Sequence, residues 1–150
     1  MKSKQEQLIS RGYLAEGMKS EYLDKSFDEK IDLLKSNVPT DRTLGARLLA
    51  NSMNDKAIDS LINALRVENK LYPRIEICNS LVSCGQHSIK PLIKILGKVG
   101  TNQHKRAPEK KFKKDSYPLP RDIASRTLVR FGKAALNELE KTLNAGIQNN

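Results

Sequence analysis

Apolar residues recur at helical spacing along most of the chain. In the region 38–98, Leu, Ile and Ala return every three or four residues, which is the spacing of one face of a helix. No segment has the strict apolar and polar alternation that is typical of a half-buried strand. The pattern therefore predicts an all-α fold.

Local signals mark where several of these helices begin. Ser26 and Glu29 have the spacing of a capping box, in which each side chain bonds the other residue's amide. Pro39 suits the first turn of the next helix, because the amide that proline lacks has no partner there. Asn54 or Asp55 is expected to cap the helix that follows.

One pattern occurs three times. When Arg42, Arg74 and Arg121 are placed in register, a small residue follows four positions later and a leucine seven positions later in each copy. The copies begin 32 and 47 residues apart, so the second interval contains an insertion. The matching positions are Ala46, Cys78 and Ser125; Leu49, Leu81 and Leu128; Met53, Gly85 and Gly132; and the pairs Leu61/Leu65, Leu92/Leu96 and Leu139/Leu143.

Each copy is expected to stack on its neighbours, because one helix pair cannot bury its apolar face alone. The small residues would let helices approach closely, and the leucines would fill the layer between them. Glycine eleven positions after the arginine is favoured at a helix C-terminus. We expect the repeated arginines to form a structural ladder to carbonyls or carboxylates of adjacent repeats.

The segments "PRDIASRTLVRFGKAALNELEKTL" and "PRIEICNSLVSCGQHSIKPLIKIL" resemble HEAT-like repeats of the short bacterial type, also called the phycobilisome-lyase HEAT-like type. The resemblance implies an α-α superhelix, that is, a HEAT-like α-solenoid of about four helix pairs. It implies a degenerate capping repeat at 1–37, repeats at 38–68, 69–98 and 118–145, and a basic inserted loop at 99–117. HEAT-like repeats mostly bind other molecules, so a non-catalytic adaptor is expected.

Composition agrees with one folded domain of 150 residues. The start of the chain resembles no secretory signal, and no apolar run is long enough to cross a bilayer, so a cytoplasmic location is expected. Cys78 and Cys84 are six residues apart on one predicted helix, which places them on different faces, and we expect both to be reduced. The net charge of +10 favours acidic partners.

The positive charge is concentrated in one region. Seven Lys or Arg and one Glu lie between residues 98 and 114, and three lysines at four-residue spacing precede or begin this region on the predicted outward face of a helix. These residues form the predicted partner-binding surface together with Phe112, whose ring could stack on a base. The full set is Lys90, Lys94, Lys98, Lys105, Arg106, Lys110, Lys111, Phe112, Lys113 and Lys114.

The charge pattern predicts recognition of an acidic protein surface. A nucleic-acid backbone is the alternative partner, as in HEAT-like alkylpurine DNA glycosylases, although the tryptophans of those enzymes are absent here. A solvated helix face followed by a polar spacer would carry the same charges without any partner. The sequence does not indicate an oligomeric state.

No catalytic or cofactor-binding pattern stands out. The two histidines, His87 and His104, have no second ligand type at helical spacing. There is no His-Glu dipeptide of the kind that HEAT-like metal-dependent hydroxylases use, and there is no glycine-rich phosphate loop. We therefore expect neither catalysis nor a metal or other cofactor.

Overall fold

A computed structural model describes residues 3–15, 17, 20–50, 52, 54–97 and 120–147. These residues form helices and connecting turns, with no strand among them, which confirms the all-α prediction. Within these ranges, no helix is both long and apolar enough to span a membrane. The helices are α1 (Lys4–Ser10), α2 (Ser20–Leu23), α3 (Phe27–Leu34), α4 (Pro39–Leu49), α5 (Asp55–Val67), α6 (Leu71–Ser83), α7 (Ile89–Leu96), α8 (Pro120–Val129) and α9 (Lys133–Ile147), with a 3-10 turn at Gly85–Ser88 before α7.

The longer helices pack in two rows. Helices α4, α6 and α8 follow one another in the first row, and α3, α5, α7 and α9 follow one another in the second. The rows contact each other most extensively at the pairs α3 with α4, α5 with α6, and α7 with α8. A continuous aliphatic core lies between the rows, and its most deeply buried large members are Leu49, Ile58, Leu61, Leu65, Ile77, Leu81, Ile89, Leu92 and Ile95.

The predicted helix starts are confirmed. The Ser26 amide donates to Oε2 of Glu29 at 2.7 Å, and the Glu29 amide donates to Oγ of Ser26 at 3.3 Å. Pro39 begins α4. Asn54, and not Asp55, caps α5, because Oδ1 of Asn54 accepts from the amide of Lys56 at 2.9 Å.

Much of the repeated pattern has the expected environment. The three leucines Leu49, Leu81 and Leu128 are all buried. Gly85 and Gly132 follow the ends of α6 and α8 with φ of 73° and 56°, a left-handed conformation that glycine adopts without a steric penalty.

Two expectations from the third copy were wrong. Ser125 is exposed, because the neighbouring Ala124 is the small residue that α8 buries. Leu143 is 65% exposed, because α9 contacts the second row mainly through α7 and the whole stretch 141–146 lies at the surface. The second half of α9 therefore extends beyond the core.

Glu68 connects the two rows near the N-terminal end of the stack. Its side chain is only 3% exposed and forms a two-point ion pair with Arg42 of α4, at 2.7 Å from Nε to Oε2 and 3.0 Å from Nη2 to Oε1. Oε1 also accepts from the amides of Lys70 and Asn69, at 2.8 and 3.0 Å. Arg74 of α6 donates from Nη2 to the Glu68 carbonyl oxygen. One residue at the end of α5 thus holds α4 and the start of α6.

The arginine ladder exists in two of its three predicted positions. Arg42 donates from Nη1 to the Ser36 carbonyl oxygen at 2.8 Å, in the segment before its repeat, and Arg74 donates to the Glu68 carbonyl oxygen of the preceding repeat. Arg121 instead lies 3.7 Å from the carboxylate of its sequence neighbour Asp122. The third arginine therefore makes a local contact at the surface, and among the described residues no ion pair joins it to another helix.

Helices α4 and α6 are joined by three further contacts. Oγ of Ser80 donates to the Ala46 carbonyl at 2.7 Å inside the core. Arg47 and Glu76 form a two-point ion pair at 3.1 and 3.2 Å. The buried Cys84 thiol lies 3.4 Å from the carbonyl oxygen of Ala50, where the end of α4 leaves carbonyls without helical partners.

Helices α3 and α4 approach each other closely at Gly45. A Cβ added there would lie 2.8 Å from Cβ of Leu33, 2.9 Å from the amide nitrogen of Leu34 and 3.0 Å from the carbonyl oxygen of Lys30. Two of these three atoms belong to the backbone, which cannot move aside without shifting α3. Glycine is therefore required by helix packing at this position.

We expect Gly45→Ala to lower the free energy of unfolding by about 1–3 kcal/mol, because the added methyl group overpacks the α3–α4 contact. The matched control is Gly146→Ala in α9, where an added Cβ meets nothing within 4 Å. That change should be neutral or slightly stabilising. Urea denaturation monitored by circular dichroism measures both, and equal effects would contradict the close packing of α3 on α4.

The pKa of Glu68 is the basis of a second prediction about stability. Burial alone would raise this pKa, but the hydrogen bonds from Arg42 and from the amides of Lys70 and Asn69 outweigh burial and lower it. The stabilisation that follows from the lowered pKa is complete when the pH is above the pKa of glutamate in the unfolded chain, near 4.3. It is lost as the pH falls through the lower pKa that Glu68 has in the folded protein. We expect Glu68→Gln to cost about 1–3 kcal/mol at neutral pH and progressively less in acid.

Denaturant titrations at about pH 7 and about pH 3 measure this difference. The control is Asp32→Asn, which removes an exposed ion pair with Lys35 and should change stability by less than about 0.5 kcal/mol. A loss for Glu68→Gln that stays equal at both pH values would mean that the exchange of an acceptor oxygen for a donor NH2 group, and not the loss of the titrating charge, destabilises the protein.

Candidate functional site

Two residues of the predicted partner-binding surface lie in the described part of the chain. Lys90 and Lys94 are exposed on α7, one turn apart, as the helical spacing predicted. The other predicted residues lie outside the described residues: Lys98, Lys105, Arg106, Lys110, Lys111, Phe112, Lys113 and Lys114.

A carboxylate from α9 lies beside Lys90. Oε2 of Glu138 is 3.8 Å from Nζ of Lys90, and its Oε1 accepts from Nζ of Lys141 at 2.7 Å. The hydrogen bond from Lys141 is the main reason why the pKa of Glu138 is lowered, and the charge of Lys90 adds to it. Glu138 therefore remains ionised and offsets part of the positive charge on this face.

A more strongly cationic site lies between α6 and α8. This arginine cleft has a volume of about 400 Å³ and is lined by four arginines, Arg11, Arg74, Arg126 and Arg130. No Asp or Glu is among its described lining residues. The nearest carboxylate on α8 is Asp122, one turn before Arg126, and it lies beside Arg121 outside the cleft.

The four guanidinium groups are held to different degrees. Arg74 is anchored on the Glu68 carbonyl, and Arg130 donates from Nη1 to Oδ1 of Asn79 across the cleft at 2.9 Å. The Asn79 amide is neutral, so this hydrogen bond positions the charge of Arg130 without cancelling it. The side chain of Arg126 is exposed and forms no hydrogen bond or ion pair with another described residue.

The N-terminal segment brings Arg11 to the cleft. Oγ1 of Thr43 donates to the Gly12 carbonyl at 2.6 Å, and the amide of Tyr72 donates to the Arg11 carbonyl at 3.3 Å. The ring of Tyr13 packs edge-on against Tyr72, with 5.1 Å between centroids, and the Arg11 guanidinium lies 6.0 Å from the Tyr72 ring. Arg11 is therefore fixed by contacts with α4 and α6.

The floor of the cleft is aliphatic. Leu71 and Ile75 of α6 remain 41% and 46% exposed, and the buried Ile123 of α8 lines the same cleft. Exposed aliphatic side chains surrounded by arginines form a surface that is both apolar and cationic. Such a combination is characteristic of binding sites more than of an ordinary solvated face.

The cleft is open because α6 and α8 are joined less extensively than α4 and α6. The latter pair has a buried hydroxyl-carbonyl bond and a two-point ion pair. Between α6 and α8, the hydrogen bond of Arg130 with Asn79 is exposed. Helix α8 packs instead against α7, which leaves its face with Arg126 and Arg130 available.

A larger groove of about 730 Å³ lies between α3 and α5. Its arginine, Arg42, is paired with the buried Glu68 carboxylate at two points. Its Lys56 is paired with Asp28 at 3.0 Å. Its cations are therefore largely neutralised, and its greater size does not make it the better anion site.

The thiols do not provide an activated nucleophile. Cys78 lines the arginine cleft, and burial raises its pKa even though Arg74 and Arg130 lie nearby. Burial likewise raises the pKa of Cys84. Both cysteines are free, and both are predominantly protonated at neutral pH, whereas the thiolate is the reactive form. Across the described ranges, no group of three or more His, Cys, Asp or Glu residues is arranged to hold a metal ion.

Sequence reasoning did not identify the arginine cleft. Arg126 and Arg130 are four residues apart on one helix, a signal that was available but common. Arg11 and Ile75 carry no local signal, because they reach the cleft only through the packing of the N-terminal segment and of α8 against α6. Arg74 was expected to be structural, and it is both a structural residue and part of the lining.

Comparisons with protein-family models, with curated proteins and with solved structures gave no match for this chain.

The raised thiol pKa values predict slow alkylation. We expect iodoacetamide near neutral pH to modify both cysteines far more slowly in the native protein than in denaturant, because burial disfavours the thiolate and blocks access. Intact-mass spectrometry over time measures the modification. Rapid alkylation of native Cys78 would instead indicate an activated thiol and would contradict the raised pKa.

Proposed function

We propose that this protein is a non-catalytic binding module, built as a HEAT-like α-solenoid, that recognises an acidic partner. The two rows of helices and the buried leucines of the repeated pattern support this architecture. Such stacks present extended surfaces without needing a catalytic centre.

The arginine cleft is the observation that carries the proposal. Four arginines line one cleft, and no Asp or Glu is among its described lining residues. Guanidinium groups bind carboxylates and phosphates at two points and remain charged at all physiological pH values. The α7 lysines extend the basic surface, but Glu138 partly offsets the charge of Lys90, so we place the centre of recognition in the cleft.

The proposal predicts that binding to an acidic ligand depends more on where the positive charges lie than on the net charge of the protein. Arg126→Gln/Arg130→Gln and Lys90→Gln/Lys94→Gln each remove two exposed positive charges. We expect the arginine double variant to elute from an immobilised poly-glutamate column at distinctly lower salt than the lysine double variant, because it removes half of the arginines in the cleft.

A third double variant, Lys4→Gln/Lys133→Gln, removes two exposed charges outside the cleft and provides the baseline. Equal shifts for all three variants would mean that retention follows net charge alone, and the proposed site would be wrong. The largest shift from the lysine pair would move the site to the α7 face. Circular dichroism spectra check that each variant is folded.

A further inference from the structure

The floor of the arginine cleft restricts the kind of acidic partner that fits it. An anion held only by charge needs guanidinium groups and no apolar surface. Here Leu71 and Ile75 leave large aliphatic areas open to solvent between the arginines. Covering them with an apolar side chain would remove this apolar surface from water, which favours binding. The best-matched ligand therefore carries apolar groups as well as negative charge.

The lining residues disfavour a nucleic acid as that ligand. Proteins that bind single strands stack bases on aromatic side chains, and no aromatic residue lines the cleft in the described part of the chain. The Tyr72 ring is occupied by contacts with Tyr13 and Arg11. An aliphatic floor offers nothing to the polar sugar-phosphate backbone. A protein segment, in contrast, can place an aliphatic side chain beside carboxylates within one helical turn or a few extended residues.

We propose that the arginine cleft binds an acidic, amphipathic segment of a partner protein, and this inference rests on the function proposed above. An aliphatic side chain of the segment lies on Leu71, Ile75 and Ile123 between α6 and α8. Flanking carboxylates bind Arg126 and Arg130 on one side and Arg11 on the other. A groove between two helices is a recognised mode of binding for an amphipathic segment, and a volume of about 400 Å³ accommodates a few side chains.

Arg74 has a distinct part in this arrangement. Its bond to the Glu68 carbonyl fixes it at the back of the cleft, so its charge is already in place when a ligand arrives. Arg130 is similarly oriented by Asn79. Positioned side chains lose less conformational entropy on binding than free ones. The exposed Arg126 is the group that has to become ordered on the ligand.

The test uses three labelled peptides of about 12 residues and fluorescence anisotropy. The first peptide alternates glutamate pairs with leucines, the second has every leucine replaced by serine, and the third has every glutamate replaced by glutamine. A single-stranded thymidine oligonucleotide of similar length is the fourth probe. We expect the first peptide to bind at least about tenfold more tightly than each of the other three probes, because it alone supplies both charge and apolar surface.

Variants of the protein separate the contribution of charge to binding from that of apolar surface. Ile75→Gln should weaken the leucine-containing acidic peptide by about three- to tenfold and leave the serine version unchanged, since only the floor is altered. Arg126→Gln/Arg130→Gln should weaken both acidic peptides. Leu143→Gln, at an exposed leucine on α9 outside the cleft, is the matched apolar control and should have no effect on any probe.

The outcomes distinguish this inference from the proposed function. If the arginine variant weakens the acidic probes but Ile75→Gln and the leucine-to-serine peptide change nothing, the acidic-partner function stands and the apolar anchor is wrong. Tighter binding of the oligonucleotide than of the leucine-containing acidic peptide, lost in the arginine variant, would make the partner a nucleic acid. If the arginine variant binds every probe as the unmodified protein does, both proposals fail together.

Discussion

The ion pair between Arg42 and Glu68 is the interaction on which the rest of the arrangement depends. It places a nearly buried carboxylate where α5 ends and α6 begins, and a buried charge of this kind is tolerated only when it is fully paired and hydrogen-bonded. Glu68 meets that requirement through Arg42 and two backbone amides. The turn between α5 and α6 is thereby held against α4, and the start of α6 has a defined position.

The candidate site follows from that position. Arg74 lies on the first turns of α6 and is anchored to the Glu68 carbonyl, so the same residue that links the rows also sets the back of the cleft. Helix α6 is held firmly to α4 by Ser80 and by the Arg47–Glu76 pair. Its opposite face meets α8 only loosely. Close packing on one side of α6 and an open cleft on the other are therefore two results of one asymmetric arrangement.

The positive charges at the surface of this protein differ in how far neighbouring groups neutralise them. Lys90 on α7 has a carboxylate beside it, and the arginine of the groove between α3 and α5 is paired with Glu68. In the cleft, Arg130 is held by an amide side chain and Arg11 lies near an aromatic ring, and neither partner cancels the charge. The neutrality of these partners distinguishes an anion-binding surface from a set of structural ion pairs.

The sequence by itself determined the helical class, the capping box at Ser26 and Glu29, the start of α4 at Pro39 and the glycine turns at Gly85 and Gly132. These features depend on residues a few positions apart, so local backbone chemistry decides them. Only the tertiary structure decided that Glu68 would bind Arg42 and Arg74, that Gly45 would lie against α3, and that Arg11 would line the same cleft as Arg126 and Arg130. These residues meet because of the distance and angle at which whole helices pack, and no short segment of the chain encodes that geometry.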